Sequence, residues 1–216
     1  MNKGFFLVLE GCEGTGKSTV VKWLKTELEK QGYNVYLTRE PGGNGSPVAE
    51  KIRSIILDKE NNVLPLTEAY LFAASRAQHV QEIILPHLER GEMVICDRFV
   101  YSSYAYQGEG RKLGLENVTK INKFATEDCQ PNLVLLFDLE PQIGLQRKLQ
   151  GRQDFDRLDN ETLEFHTRVR KTYLKLAREN PQLFRVINVK QLIEKVQTDT
   201  WKELINKIKE INYDKN

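Results

Sequence analysis

The sequence predicts an α/β fold with a five-stranded parallel sheet flanked by helices on both faces. Two observations carry that reading. Short apolar runs recur at residues 5–10, 34–39, 93–97, 133–138 and 184–189, and stretches with helical apolar spacing separate them. Strands alternating with helices give a parallel sheet joined by right-handed crossovers. The second observation is Gly11-Cys12-Glu13-Gly14-Thr15-Gly16-Lys17-Ser18, directly after the run FFLVLE, which fits G-x-x-x-x-G-K-[ST] with a helix-forming run behind it. The expected architecture is therefore a three-layer P-loop NTPase fold. At 216 residues and 40% hydrophobic content, one domain spanning 1–216 is expected.

The chemistry of the loop follows from its residue types. Glycines let backbone N–H groups turn inward around polyphosphate oxygens, and the following helix presents its positive dipole end to the same anion. Residues Gly11, Cys12, Glu13, Gly14, Thr15, Gly16, Lys17, Ser18 and Thr19 form the expected polyphosphate site, which the resemblance given below implies to be that of ATP. Lys17 would neutralise β- and γ-phosphate charge, and Ser18 would offer its hydroxyl to Mg²⁺.

Further along, the apolar positions Val20, Val21, Trp23, Leu24 and Leu28 predict a helix over 18–30, closed by Gly32. After the strand at 34–39, residues 40–47 are too rich in Gly and Pro to be regular, and such a loop faces the ligand side of an open α/β sheet. A helix over 48–57 carries Arg53. Thr67 is the expected N-cap of a helix over 68–85 that Pro86 bends or ends. On it, Phe72, Arg76, Val80 and Ile83 share one face. Arginine in an apolar stripe reads either as a snorkelling side chain or as a forked donor beside a stacking ring.

The strands at 93–97 and 133–138 each end in an acid, and either Asp97 or Asp138 could serve the Mg²⁺ shell. Asp97 is preferred, because Arg98 beside it would bring positive charge to a second phosphate. Residues 101–108 read as a hydroxyl-rich turn, and 116–126, 141–149, 160–179 and 192–211 as helices. The polar connection 150–158 is by composition a solvated loop, and its Arg152 and Arg157, with Arg147 upstream, also suit a lid over phosphates.

The formal net charge of +2 gives no global pull toward nucleic acid or membrane, so any anion site must be local. The opening apolar run stops at Glu10, which suits neither a secretory segment nor a membrane span, and a cytoplasmic protein is expected. Three cysteines, Cys12, Cys96 and Cys129, lack metal-type spacing and suit reduced thiols; Cys12 reads as a filler of the loop.

Asn122-Lys123-Phe124-Ala125 and Asn206-Lys207-Ile208-Lys209 both lack the acid of a guanine-reading motif, and no Ser-Gly-Gly-Gln occurs. Switch GTPases and transporter ATPases are thereby disfavoured. The stretches TREPGG (38–43), LFAASRAQH (71–79), CDRFVYSSYAYQG (96–108) and RLD (157–159), followed by YLKLA (173–177), resemble bacterial thymidylate kinases in order over nearly the whole chain.

That resemblance implies phosphoryl transfer from Mg·ATP to dTMP. It implies a P-loop at 11–18, an acceptor region at about 39–76 and 97–108, and a lid at about 147–159. Phe72 would stack on thymine, Arg76 would bond its O4 edge, and Gln107 and Ser103 would sit near the other polar edge. Tyr106 would lie against the sugar, Arg98 and Arg53 would grip the acceptor phosphate, and Glu13 would reach toward the acceptor sugar or bridge through water. With no arginine in the P-loop, the lid would supply the catalytic one, Arg152, beside Lys17, Arg98 and Glu13. Ser18 and Asp97 would hold the metal. A homodimer packed through helices, with 69–74 contributing, is implied as well. The competing readings are a kinase for another nucleotide or a deoxynucleoside, and a nucleotide-binding regulator without turnover.

Overall fold

The computed structural model of the chain describes residues 4–151 and 156–214. Strands β1 (Phe5–Glu10), β2 (Val35–Arg39), β3 (Met93–Asp97), β4 (Leu133–Asp138) and β5 (Phe184–Asn188) form one sheet in the order β2-β3-β1-β4-β5. Every neighbouring pair is parallel, with Leu7 facing Ile95 on one side and Leu133 on the other.

Burial on both faces explains the unbroken apolar runs of the central strands. Phe5, Leu7 and Leu9 of β1 join one core with α1 (Lys17–Lys30), where Val20, Val21, Leu24 and Leu28 pack. The alternate residues Phe6 and Val8 face a second core. The connections between the strands carry α2 (Pro47–Leu57), α3 (Pro65–His79), α4 (Leu85–Glu89), α5 (Val100–Ser103), α6 (Leu115–Thr126) and α7 (Pro141–Gln150). The amphipathic α8 (Leu163–Glu179) contributes Phe165, Val169 and Tyr173 to the second core, and α9 (Ile193–Glu210) contributes Val196, Leu204 and Ile208 to the first. No described helix is long and apolar enough to cross a membrane.

Three local expectations differ from the structure. The helix expected from Thr67 begins at Pro65, with Leu64 in the cap position and no side-chain cap, because proline at the first helical position brings a suitable φ and no orphan N–H. It is not ended by Pro86. A π-helical turn over Val80–Ile84 leads into α4, and its wider bonding accommodates a proline that an unbroken α-helix would reject. Residues 101–108 are not a turn either: α5 passes into a second π-helical stretch, Tyr104–Gly110, in which Ala105, Tyr106, Gln107 and Gly108 are buried. Burial against α8 overrides the turn propensity of its hydroxyls and glycines.

Candidate active site

The loop between β1 and α1 is shaped by close packing. A Cβ on Gly14 would stand 2.0 Å from the carbonyl oxygen of Gly144, so glycine there lets the loop rest on α7. Gly16 has φ +81°, a left-handed conformation that glycine adopts without strain, and it leads directly into α1. Lys17 folds back so that Nζ donates to the carbonyls of Gly11 and Cys12, both at 2.9 Å, and to Thr15 Oγ1 at 3.2 Å. Burial, reinforced by Arg98, lowers its pKa to about 8. Cys12 is buried beneath the loop, with its thiol pushed up to about 12 by burial and by Glu13, which fits an inert filler.

Beside the loop, Ser18 Oγ donates to Asp97 Oδ2 at 3.2 Å. This hydroxyl and carboxylate are the hard oxygen donors that Mg²⁺ takes, and both residues line one cavity. Asp138, the alternative, is held by Arg170 through paired bonds of 2.8 and 2.9 Å. Among the described residues no cluster of three or more His, Cys, Asp or Glu could enclose a metal.

Arg98 occupies the left-handed region at φ 72°, which turns its guanidinium back over the loop. Nη2 donates to Glu13 Oε1 at 2.9 Å, and the guanidinium carbon lies 5.2 Å from the centre of the Tyr106 ring. Tyr106 donates its hydroxyl to the same Glu13 oxygen at 2.5 Å. His166 Nδ1 stands 3.4 Å from Glu13 Oε2 without a hydrogen bond. Burial opposes the charge on Glu13, yet Arg98, His166, Lys17 and Tyr106 outweigh it and hold the carboxyl well below the usual range.

The backbone that carries Arg98 is fixed from β1. The fully buried Glu10 accepts from the N–H groups of Phe99 (2.9 Å) and Ser102 (3.1 Å), and from the hydroxyls of Ser102 and Tyr173, both at 2.7 Å. Burial raises its pKa despite these donors.

A cavity of about 400 Å³ joins these groups to the acceptor side. Its wall includes Glu13 to Thr19, Asp97, Arg98, Arg53, Phe72, Tyr106 and Gln107. Gly11 and Cys12 lie behind this wall. Arg53 donates to the Pro41 carbonyl at 2.8 Å. Phe72 packs against Ile56 and Leu158, at the root of the expected lid.

Arg76 and Ser103 are not in the wall. Arg76 is 1% exposed and donates to Glu40 (2.7 Å), Ser103 (3.0 Å), Asn122 and the Phe99 carbonyl (3.2 Å), leaving one Nη2–H without a partner among the described residues. It does not snorkel. Ser102, rather than Ser103, reaches the cavity, as does Arg147, which the sequence reading placed in the lid, and so do Arg39 and Lys148, which it left out of the site. Arg39 had a signal, since it is the second residue of the motif TREPGG. Arg157 turns away from the wall to Glu68 (2.6 Å) and the Ile56 carbonyl (3.0 Å). Arg152 lies outside the described residues.

One cavity thus brings together the loop between β1 and α1 and an aromatic ring with an amide, Phe72 and Gln107. Known proteins resemble this chain in sequence and fold. The thymidylate kinase family profile matches residues 9–200. A thymidylate kinase of Enterococcus faecalis is 46% identical over 211 residues, covering 96% of this chain and 99% of its own length. One of Lactobacillus acidophilus is 48% identical over 206 residues, covering 94% of each. The crystal structure of thymidylate kinase from Ehrlichia chaffeensis superposes with a TM-score of 0.77 at 30% identity, covering 93% of this chain and 98% of that one. With fold and sequence in agreement over nearly the full length, the chain belongs to the thymidylate kinase family.

Proposed function

We propose that the chain transfers the γ-phosphoryl group of Mg·ATP to dTMP, giving dTDP and ADP for dTTP synthesis. The observation that carries this reading is that one cavity is lined both by Lys17 and Ser18 and by Phe72 and Gln107. Residues Gly11 to Thr19 hold the ATP phosphates. Thymine stacks on Phe72, with Gln107 toward one polar edge; Ser103 and Arg76 stand behind the wall and would meet the base from there, the remaining N–H of Arg76 toward O4. Arg53 and Arg98 take the acceptor phosphate. Tyr106 lies against the sugar, and Glu13 keeps Arg98 and Tyr106 in place while facing the acceptor.

Apposing two phosphate groups is strongly unfavourable unless their charge is offset. Lys17, Arg98 and a lid arginine, assigned to Arg152, supply fixed positive charge where the transferred group becomes electron-rich. Ser18 and Asp97 would hold Mg²⁺, which when bound adds charge neutralisation on the donor phosphates. The rest of the catalysis is alignment and exclusion of water, for which the lid at 147–159 closes over the site.

The protein acts as a homodimer in the cytoplasm, in a domain spanning 1–216. Supporting the dimer, Val48 and Ile55 of α2, Leu66 and Tyr70 of α3 and Phe124 of α6 are exposed on helices that pack together. In the stretch 69–74, Tyr70 is exposed, whereas Ala69, Phe72 and Ala73 are core. Three buried free cysteines suit a reducing compartment.

ADP release with Mg·ATP and a panel of dTMP, dUMP, dCMP, dGMP, UMP and thymidine tests the reading. Turnover chiefly with dTMP is expected. Preference for another monophosphate would overturn the base site, and no acceptor-dependent turnover would overturn the kinase.

A further inference from the structure

Glu68 on α3 is fully buried and does not line the cavity, yet it touches the residue assigned to read the base. Its Oε1 accepts from Gln107 Nε2 at 2.8 Å and from Arg111 Nε at 3.2 Å. Its Oε2 accepts from Arg111 Nη2 at 3.0 Å and from Arg157 Nη2 at 2.6 Å. Two guanidiniums balance the carboxylate charge, and each is anchored again, Arg111 on Glu161 and Arg157 on the Ile56 carbonyl. The carboxylate is therefore fixed in position.

An ionised carboxylate only accepts hydrogen bonds, whereas an amide has a donating and an accepting end of nearly equal shape. Glu68 can satisfy only the NH₂ end of Gln107. The carbonyl end must then point away from it. Gln107 Oε1 is buried, has no hydrogen-bond partner among the described residues, and belongs to a side chain in the cavity wall. A buried acceptor of this kind favours a ligand edge that brings a donor. Thymine carries N3–H on that edge. Cytosine carries a lone pair there.

We propose that Glu68 is a specificity-determining positioning residue, holding the Gln107 amide with its carbonyl toward the base so that a pyrimidine bearing N3–H is selected over cytosine. This rests on the assignment of Phe72 and Gln107 to the base site. Glu68→Gln should reverse the arrangement. The two arginines would take the new carbonyl, its NH₂ would face Gln107, and Gln107 would turn its own NH₂ toward the base.

The test compares kcat/KM for dTMP with that for 5-methyl-dCMP, which keeps the methyl group and changes the N3 and C4 edge, in the wild type, Glu68→Gln, Gln107→Leu and the double variant. Glu68→Gln should lower the dTMP preference about tenfold or more, chiefly through KM for dTMP, and should leave the ratio unchanged in the Gln107→Leu background. Equal losses on both substrates would mark Glu68 as merely structural and overturn the proposal. A readout on the wild type needs no Glu68 variant: the Gln107 side-chain amide protons, identified by their loss in Gln107→Leu, should exchange slowly with solvent with and without dTMP. Rapid exchange without dTMP would overturn the proposal. Absence of wild-type turnover on dTMP would instead overturn the kinase reading, which amide exchange does not address.

Discussion

Raising the pH should weaken ATP binding through Lys17. Its ammonium is buried beneath the loop, and burial together with Arg98 lowers its pKa to about 8 in the free protein. Triphosphate bound against Nζ would return that pKa toward the ordinary lysine range, so the protonated form binds preferentially. A group with a pKa of about 8 is roughly 90% charged at pH 7 and roughly 10% charged at pH 9, so affinity should fall about tenfold, or about 1.4 kcal/mol. The sign follows from the proton count: the free site loses a proton that the occupied site keeps, so binding takes one up as the pH rises. Mg-bound triphosphate is fully ionised throughout this window and adds no uptake of its own. Titration calorimetry with a non-hydrolysable ATP analogue and Mg²⁺, in two buffers of different ionisation enthalpy, measures the uptake directly. Close to one proton per site (about 0.9) is expected at pH 9 and about 0.1 at pH 7. Lys17→Met should bind weakly at both values with no uptake. An affinity that stays flat between pH 7 and pH 9, without proton uptake, would refute the reasoning.

Other perturbations separate the remaining roles. Arg152→Ala should lower kcat far more than it raises KM for dTMP in steady-state assays; an unchanged kcat would move the role to Arg147, because Arg157 is committed to Glu68. Glu10→Ala strands two backbone N–H groups in the core and should cost about 3 kcal/mol in denaturant unfolding, against about 1 kcal/mol for the isosteric Glu10→Gln. Losses of equal size would contradict the account of Phe99 and Ser102. Tyr70→Glu should shift sedimentation from dimer to monomer at micromolar concentration, and a wild type that sediments as a monomer would remove the dimer.

The parts of this molecule that could be read from sequence are those whose cause is local. The strand, loop and first helix are adjacent in the chain, and the spacing of Gly11, Gly16, Lys17 and Ser18 is the loop itself. All five strands and their parallel arrangement followed from short apolar runs separated by helices. Residues 101–108 were illegible because the partners of their segment are remote: Glu10 lies 92 positions from Ser102, and Tyr173 lies 71 positions from it. Local turn chemistry pointed the wrong way there. The same applies to Arg76, whose burial depends on Glu40 and Asn122, 36 and 46 positions distant. Spacing placed it correctly on the face of Phe72, but only the fold shows that its donors are largely engaged behind the wall. The choice between Ser102 and Ser103 rests on the rotation of a single helical residue, which a π-helical continuation makes hard to infer. Glu68 gave no signal at all, because a lone acid in the first part of a helix is ordinarily a solvated one.

The central claim is that one cavity holds thymine against Phe72 and aligns its nucleotide with the phosphates on the P-loop. A crystal structure with dTMP, Mg²⁺ and a non-hydrolysable ATP analogue tests this most directly. The account predicts the thymine ring stacked on Phe72, its N3 within hydrogen-bond distance of Gln107 Oε1, and its phosphate between Arg53 and Arg98, facing the triphosphate at Lys17. A dTMP bound away from Phe72, or with its phosphate outside the reach of both arginines, would contradict it.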